Sequence, residues 1–554
     1  MTVTTLAEAP LEPGERPPDG QTFVLEPRFD RPLHPLSTST WLPIHARTVG
    51  SVMRRFGLPI DGLDERVLLG RVYGRMVPML DRGRDGSPPP AWVMRLLFEL
   101  LPPMRRRLAR ARGYDGEPAI ASVLDRWERE GRGSAAERTR ALRSVDRAAM
   151  SDEALADHLD EVVAHVERVA DSHFELTFAG VLIPTGRLGL LVEELLGWEP
   201  FDVITLVAGY GEASTDHGRA VERLRSQLGP DVVRAALADP TMLADEPATE
   251  AYLRDHGHRV NVDLARPTEA EDLGLVADHL RRYAAATKAP VDPRVAAHEA
   301  ERRAMAELRD PADRARFAST LALARRGRPF GDETEASVLE TLTIMRFVAI
   351  EAAHRFVSDG RSGSEEDVWF LQLDELRACL RSATTELPRL DRRRREFAWA
   401  MANPAPLHLG PDPAPPPPVE AVPGRYRSTV GAVLWSAAAA SPVTYAPDQE
   451  VLQGEAASPG RATGTIRVVR DMAEFDRVQA GDIVVCPTTA AAWSPIFGVI
   501  AGLITEHGGL LSHPAILARE YGLPAVLGVP DATRRLADGA HVEIDGSRGT
   551  VSLG

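Results

Sequence analysis

One short segment, Thr505-Glu506-His507-Gly508-Gly509-Leu510-Leu511-Ser512-His513-Pro514, places a histidine where it can do covalent chemistry. A β-type run ends at Thr505, Gly508 and Gly509 allow a tight turn, and Ser512 and His513 precede a helix predicted from Pro514 to about Tyr521. Proline fits the first helical position because its missing N–H would have no partner there, and Gly522 fits a left-handed stop just past the helix end. His513 therefore sits where free amides and the positive end of the helix dipole converge. That end disfavours imidazolium, so the ring stays neutral and nucleophilic near neutral pH. It also stabilises the charge of a phosphoryl group once bound. A neutral imidazole nitrogen can attack phosphorus in line and form a phosphoramidate. The same residues also serve as a plain helix cap, and the local pattern alone does not choose between the two.

The elements that must hold this segment are short strands. Gly464–Val469, Asp482–Cys486, Val499–Thr505 and Pro524–Val529 are β-type runs bounded by Gly, Pro and Asp, and His541–Asp545 with Thr550–Leu553 reads as a closing hairpin. These predict a small β/α domain over residues 446–554. Ahead of it, residues 404–445 form a Pro-rich linker, either a connector packed on the preceding domain or a semi-rigid arm. Residues 23–403 repeat apolar positions at helical spacing, with a cap signal at Ser151, and predict one large, mostly helical domain. Residues 1–22 read as a disordered tail without signal-peptide features. The expected fold class is thus multidomain α+β.

Composition excludes several functions. A net charge of −15 over 554 residues argues against general binding to nucleic acid or to an anionic membrane. No long uninterrupted apolar run predicts a membrane span. The only cysteines, Cys379 and Cys486, are far apart and form neither a disulfide framework nor a thiolate metal site. A cytoplasmic location is expected, with no metal. Lys288 is the single lysine, and it has no glycine-rich loop before it, so a self-contained ATP site is not expected.

The run Gly508-Gly509-x-x-Ser512-His513-x-Ala515-Ile516-x-Ala518-Arg519-Glu520-x-Gly522-x-Pro524-Ala525-Val526-x-Gly528 resembles the mobile phosphohistidine domain of the phosphoenolpyruvate-utilising enzymes. Ser458-Pro459-Gly460, Gly481-Asp482 and Trp493-x-Pro495 agree in order. The resemblance implies a swivelling domain with His513 as phosphoryl carrier, and with Thr505, Gly508, Gly509 and Ser512 around the phosphate. Asp255-His256-Gly257-His258-Arg259 and Glu366-Asp367-Val368-Trp369 look, more weakly, like segments of the rifampin phosphotransferase substrate domain. Two departures stand out. No segment of this chain reads as the family's ATP-grasp domain, so ATP and Mg are expected on a separate ATP-grasp-type partner, with none bound tightly here. Leu511 stands where the dikinases carry a regulated threonine.

Four residues of the helical region are candidates for binding the acceptor. His258 and Arg259 suit a carbonyl or phosphate, or else a buried brace between helices. Asp332 and Glu333 suit a general base for a hydroxyl, or else the solvated start of a helix, where acids are favoured. The expected function is a phosphotransferase component that passes a phosphoryl group from His513 to a small molecule. The competing class is a non-catalytic binding or scaffolding protein of the same shape.

Overall fold

The computed structural model describes residues 17–553 except 27–28, 30, 82, 84–88, 212, 260–261, 286–291, 383–386, 404, 414–416, 441–451, 471 and 490–492. Most of the expected disordered tail lies outside these residues, as does Lys288. The fold is multidomain α+β, with a large helical region followed by a β/α domain.

Two long helices form the axis of the helical region. The first runs through Asp152–Leu176 and Ile183–Leu196. It begins as its sequence predicts, with the Ser151 hydroxyl accepting from the Ala154 amide at 3.2 Å, and it stops at Gly197 with φ +65°. By length and composition this continuous helix could cross a bilayer, which the sequence reading did not anticipate. Its most apolar window is 67% buried within the protein, as a core helix requires.

The second long helix is Pro311–Ser358, capped by the Asp310 carboxylate on the Ala312 amide at 2.8 Å. It buries Leu321, Ala324, Phe330, Val338, Leu342, Met345, Ala349 and Phe356, at the spacing of a helix face. The two helices cross at Gly180 and Gly327. A Cβ added to Gly327 would lie 1.9 Å from the Gly180 carbonyl oxygen, so only glycine permits this approach. Asp332 and Glu333 follow that crossing in mid-helix, not at a helix start. The Gly-Arg-Pro sequence before them imitates a beginning, but Pro329 is accommodated inside the continuous helix.

A small sheet also appears where only helix was expected. Strands β1 (Phe23–Leu25), β2 (Ile60–Leu68), β3 (Arg71–Pro78) and β4 (His408–Leu409) lie in the order β2-β3-β1-β4. Leu69 and Gly70 both have positive φ, as a tight hairpin turn needs. Strand β4 draws the start of the proline-rich segment into the helical region. Ala421 and Val422 are fully buried, and the helix Ala432–Ala440 packs on Ile183–Leu196, with Trp435 Nε1 donating to Glu193 at 2.5 Å. The described part of residues 404–445 is therefore mostly a packed connector. The span that joins the two regions, 441–451, lies outside the described residues.

The β/α domain contains β5 (Leu452–Gln453), β6 (Glu455–Ser458), β7 (Arg461–Val468), β8 (Ile483–Cys486), β9 (Gly502–Thr505), β10 (Ala525–Leu527), β11 (His541–Asp545) and β12 (Thr550–Leu553). Their order is β5-β12-β11-β7-β8-β9-β10-β6, with β7 to β10 mutually parallel and β11–β12 the expected hairpin. One face buries Trp493, Phe497, Leu517 and Leu523, and the other Ile466, Ile483, Ile504 and Val542. The connection from β9 to β10 carries His513.

Candidate phosphoryl-transfer site

The turn after β9 is built around two hydroxyls. Thr505, fully buried, donates to the His507 carbonyl oxygen at 2.6 Å. The Ser512 hydroxyl donates to the Gly509 carbonyl oxygen at 2.6 Å, and the Ser512 amide does so at 3.0 Å. Thus neither side chain caps the helix; both fix the loop. Gly508 has φ +116°, and a Cβ there would lie 2.7 Å from Ser512 Oγ, so the turn needs glycine at this position.

The helix that follows spans His513–Glu520, with Pro514 in its first turn and Gly522 at φ +58° beyond its end. His513 is its first residue. The ring is half-buried, and its Nε2 is buried with no hydrogen-bond partner among the described residues. Burial holds the His513 pKa below the ordinary imidazole value, and the Asp332 carboxylate opposes that shift. The imidazole is thus neutral at pH 7 and faces a carboxylate of the helical region.

That pairing exists because the histidine loop docks on the helical region. Leu510 is buried in a cluster with Leu188, Leu191, Trp198 and Phe317, and the Leu511 side chain packs on its edge. The Leu511 amide approaches the Ala439 carbonyl oxygen at 3.4 Å. Beyond the helix, Tyr521 and Tyr283 share a hydroxyl–hydroxyl hydrogen bond of 3.0 Å.

The four candidates of the helical region separate. Of the four, only Asp332 acts electrostatically on His513. Glu333 turns to the other side, where it forms a two-pronged ion pair with Arg132, both contacts 2.6 Å, and accepts from Trp127 Nε1 at 3.1 Å. His258 lies near Phe347, and its carbonyl oxygen accepts from Thr343 Oγ1 at 2.8 Å. Burial lowers the His258 pKa, with the Arg143 charge adding to the effect. Arg259 meets Glu340 at 3.7 Å. These contacts lie eight or more residues past Asp332, about 12 Å further along the helix at 1.5 Å per residue. The structure therefore does not bring His258 and Arg259 beside His513, and their contacts are those of a brace between helices.

Two arginines that the sequence does not single out meet in a cleft on the same two helices, one from the long helix and one from the helix of His513. Arg328, one turn before Asp332 on the long helix, is 9% exposed; its Nε has no hydrogen-bond partner and it has no ion-pair partner among the described residues. Arg519 donates through Nε to the Ala457 carbonyl oxygen at 2.8 Å and through Nη2 to that of Leu510 at 2.7 Å. Burial and the Arg328 charge lower the Arg519 pKa to about 9. Both arginines line a cleft with Ile204, Gly209, Ile516 and Glu520. Two guanidinium groups sharing a half-buried cleft repel each other, and an anion between them relieves that repulsion. The signal was present in Arg325-Arg326-Gly327-Arg328, but arginine is so common in this chain that the run did not stand out.

Several known proteins are similar to this chain in sequence. Residues 478–549 match the family described as PEP-utilising enzyme, mobile domain. The chain is 33% identical to a rifampicin phosphotransferase of a Streptomyces species over 55% of this chain and 34% of that protein. It is 27% identical to chondramide synthase cmdD of Chondromyces crocatus, over 72% of this chain and 11% of that protein. It is 43% identical to the phosphoenolpyruvate synthase of Aeropyrum pernix over 20% of this chain and 13% of that protein. The chain spans about a third of the length of the rifampicin phosphotransferases it matches. Its C-terminal β/α unit thus matches the mobile domain of the PEP-utilising enzymes, and the chain as a whole is similar to part of the rifampicin phosphotransferases.

Proposed function

We propose that this chain is a phosphotransferase component in which His513 carries a phosphoryl group and passes it to a hydroxyl of a small molecule bound at the long helix. The observation that carries this reading is the neutral His513, with its buried, unpartnered Nε2 at a helix start, facing Asp332 across the domain contact. In the transfer step the acceptor oxygen attacks phosphorus. The O–P bond forms as the N–P bond breaks, the nitrogen pair returns to the imidazole, and the hydroxyl proton goes to Asp332. Arg328 and Arg519 hold the phosphoryl oxygens, and the amides of the histidine loop complete their shell.

The donor in this proposal is a separate ATP-grasp-type protein that binds ATP with Mg. No described residue is a lysine, and no described loop carries a lysine onto nucleotide phosphates, so these residues do not fit a resident ATP site. The domain contact that places Asp332 at His513 buries the ring edge, so the β/α domain must lift away to be charged and to admit the acceptor. The test is to charge the protein, remove the donor and add fractionated metabolites. The expected result is that one fraction discharges the protein and gains a phosphate monoester, and that it does so at least about a hundredfold more slowly with Asp332→Asn. A charged protein that releases only inorganic phosphate with every fraction overturns the transferase reading.

A further inference from the structure

Outside this site, three side chains converge in a small helical unit with its own core. His217 lies on the helix Ala213–Ala238, His279 on the helix Leu273–Ala285, and Glu269 on the loop between Pro247–His256 and the second of these. Val221, Leu224, Tyr252, Val276 and Leu280 pack beneath them. We propose that His217, Glu269 and His279 bind one divalent transition-metal ion of the zinc type, which clamps the three segments together.

The geometry is that of a metal centre's ligand triangle. His217 Nε2 is 3.2 Å from His279 Nδ1, His217 Nε2 is 3.3 Å from Glu269 Oε1, and His279 Nδ1 is 3.2 Å from the same oxygen. Ligands about 2.0–2.1 Å from a tetrahedral ion stand about 3.3–3.4 Å apart, so the three edges match to about 0.1–0.2 Å. Protons alone satisfy this triangle poorly. If both nitrogens donate to the carboxylate, no proton remains for the nitrogen–nitrogen edge; if one donates to the other, an edge to the carboxylate is lost. A single cation at the centre satisfies all three.

The surroundings support the same reading. The second carboxylate oxygen, Glu269 Oε2, accepts from the Tyr252 hydroxyl at 2.6 Å, which leaves Oε1 to point at the two histidines. Such an outer hydrogen bond is how ligating carboxylates are held. Two histidines with one carboxylate select zinc-type ions over magnesium or calcium, and three protein ligands leave a fourth position for water. The unit also meets the β/α domain: a Cβ on Gly218, next to His217, would lie 2.3 Å from the Tyr283 hydroxyl and 2.4 Å from that of Tyr521. The ion would thus stiffen a surface on which the mobile domain rests.

The test uses the full chain without a histidine tag, stripped with a chelator and titrated with zinc chloride against a chromophoric competitor. Wild-type protein is expected to bind one zinc per chain tightly. His217→Ala/His279→Ala should lose that site, with affinity down at least about a hundredfold, and Tyr252→Phe should weaken it about 10–100-fold. The exposed His354→Ala should leave it intact. Cobalt substitution should give the intense visible bands of a tetrahedral site in wild type and not in the double variant. Circular dichroism of the metal-free proteins shows whether the variants fold; should the double variant not fold, Glu269→Gln with the same cobalt readout decides. Wild type without a tight site, or tight zinc binding and tetrahedral cobalt bands retained in a folded ligand variant, overturns the proposal.

Discussion

At the scale of single residues, the proposed site rests on a neutral imidazole, a carboxylate and two arginines. Burial lowers the His513 pKa below about 6.5, and Asp332 works against that shift. In the docked, uncharged chain the ring should therefore titrate below a free imidazole, a shift that NMR of the His513 ring reads directly. In Asp332→Asn the opposing charge is gone, so that titration should move to still lower pH. A titration that moves up instead contradicts the effect of Asp332 on His513. Arg328 makes a second case. Replacing it with Met removes a buried charge that presses on Arg519 and lacks an ion-pair partner among the described residues. The protein should melt no lower than wild type, while transfer to the acceptor falls about 10²–10³-fold. Paired measurements of melting and single-turnover transfer check both halves.

At the scale of elements, what could be read from sequence depended on whether the signal was local. The loop–helix of His513 was legible because each part has its own local reason: Gly508 for a positive φ, Pro514 for the first turn and Gly522 for the stop. The hairpin β11–β12 and the Ser151 cap were legible on the same grounds. The mid-helix position of Asp332 was not, because Pro329 locally resembles a helix start and only packing along the whole of Pro311–Ser358 overrides it. Strands β1 and β4 pair across 384 residues of sequence (Val24 with His408, 408 − 24), so no local pattern announces them. The same long-range packing yields two tests. Gly327→Ala places a methyl group against the Gly180 carbonyl and should destabilise the protein by about 1–3 kcal/mol in denaturant melts. Leu510→Ala empties a buried position in the domain contact at a cost of about 2–5 kcal/mol. It should raise hydrogen exchange in Ala432–Ala440 and slow transfer, yet leave phosphorylation of His513 intact. Unchanged exchange there would mean that the contact does not depend on this loop.

At the scale of the whole molecule, a helical body presents Asp332 and a β/α domain docks His513 towards it; in the proposed function the carrier leaves that contact to be charged. The account therefore separates charging from transfer, and its central claim is that the carrier is His513. The most direct measurement is to incubate the full chain with γ-labelled ATP and an extract of the source cells, then recover it and follow the label through mild alkali and acid. The account predicts one phosphoryl group per chain on wild type and on His507→Gln, stable in alkali and lost in acid as a P–N bond is, and none on a folded His513→Gln. Wild-type protein that takes up no label, or His513→Gln that accumulates acid-labile phosphate at the wild-type level, contradicts it.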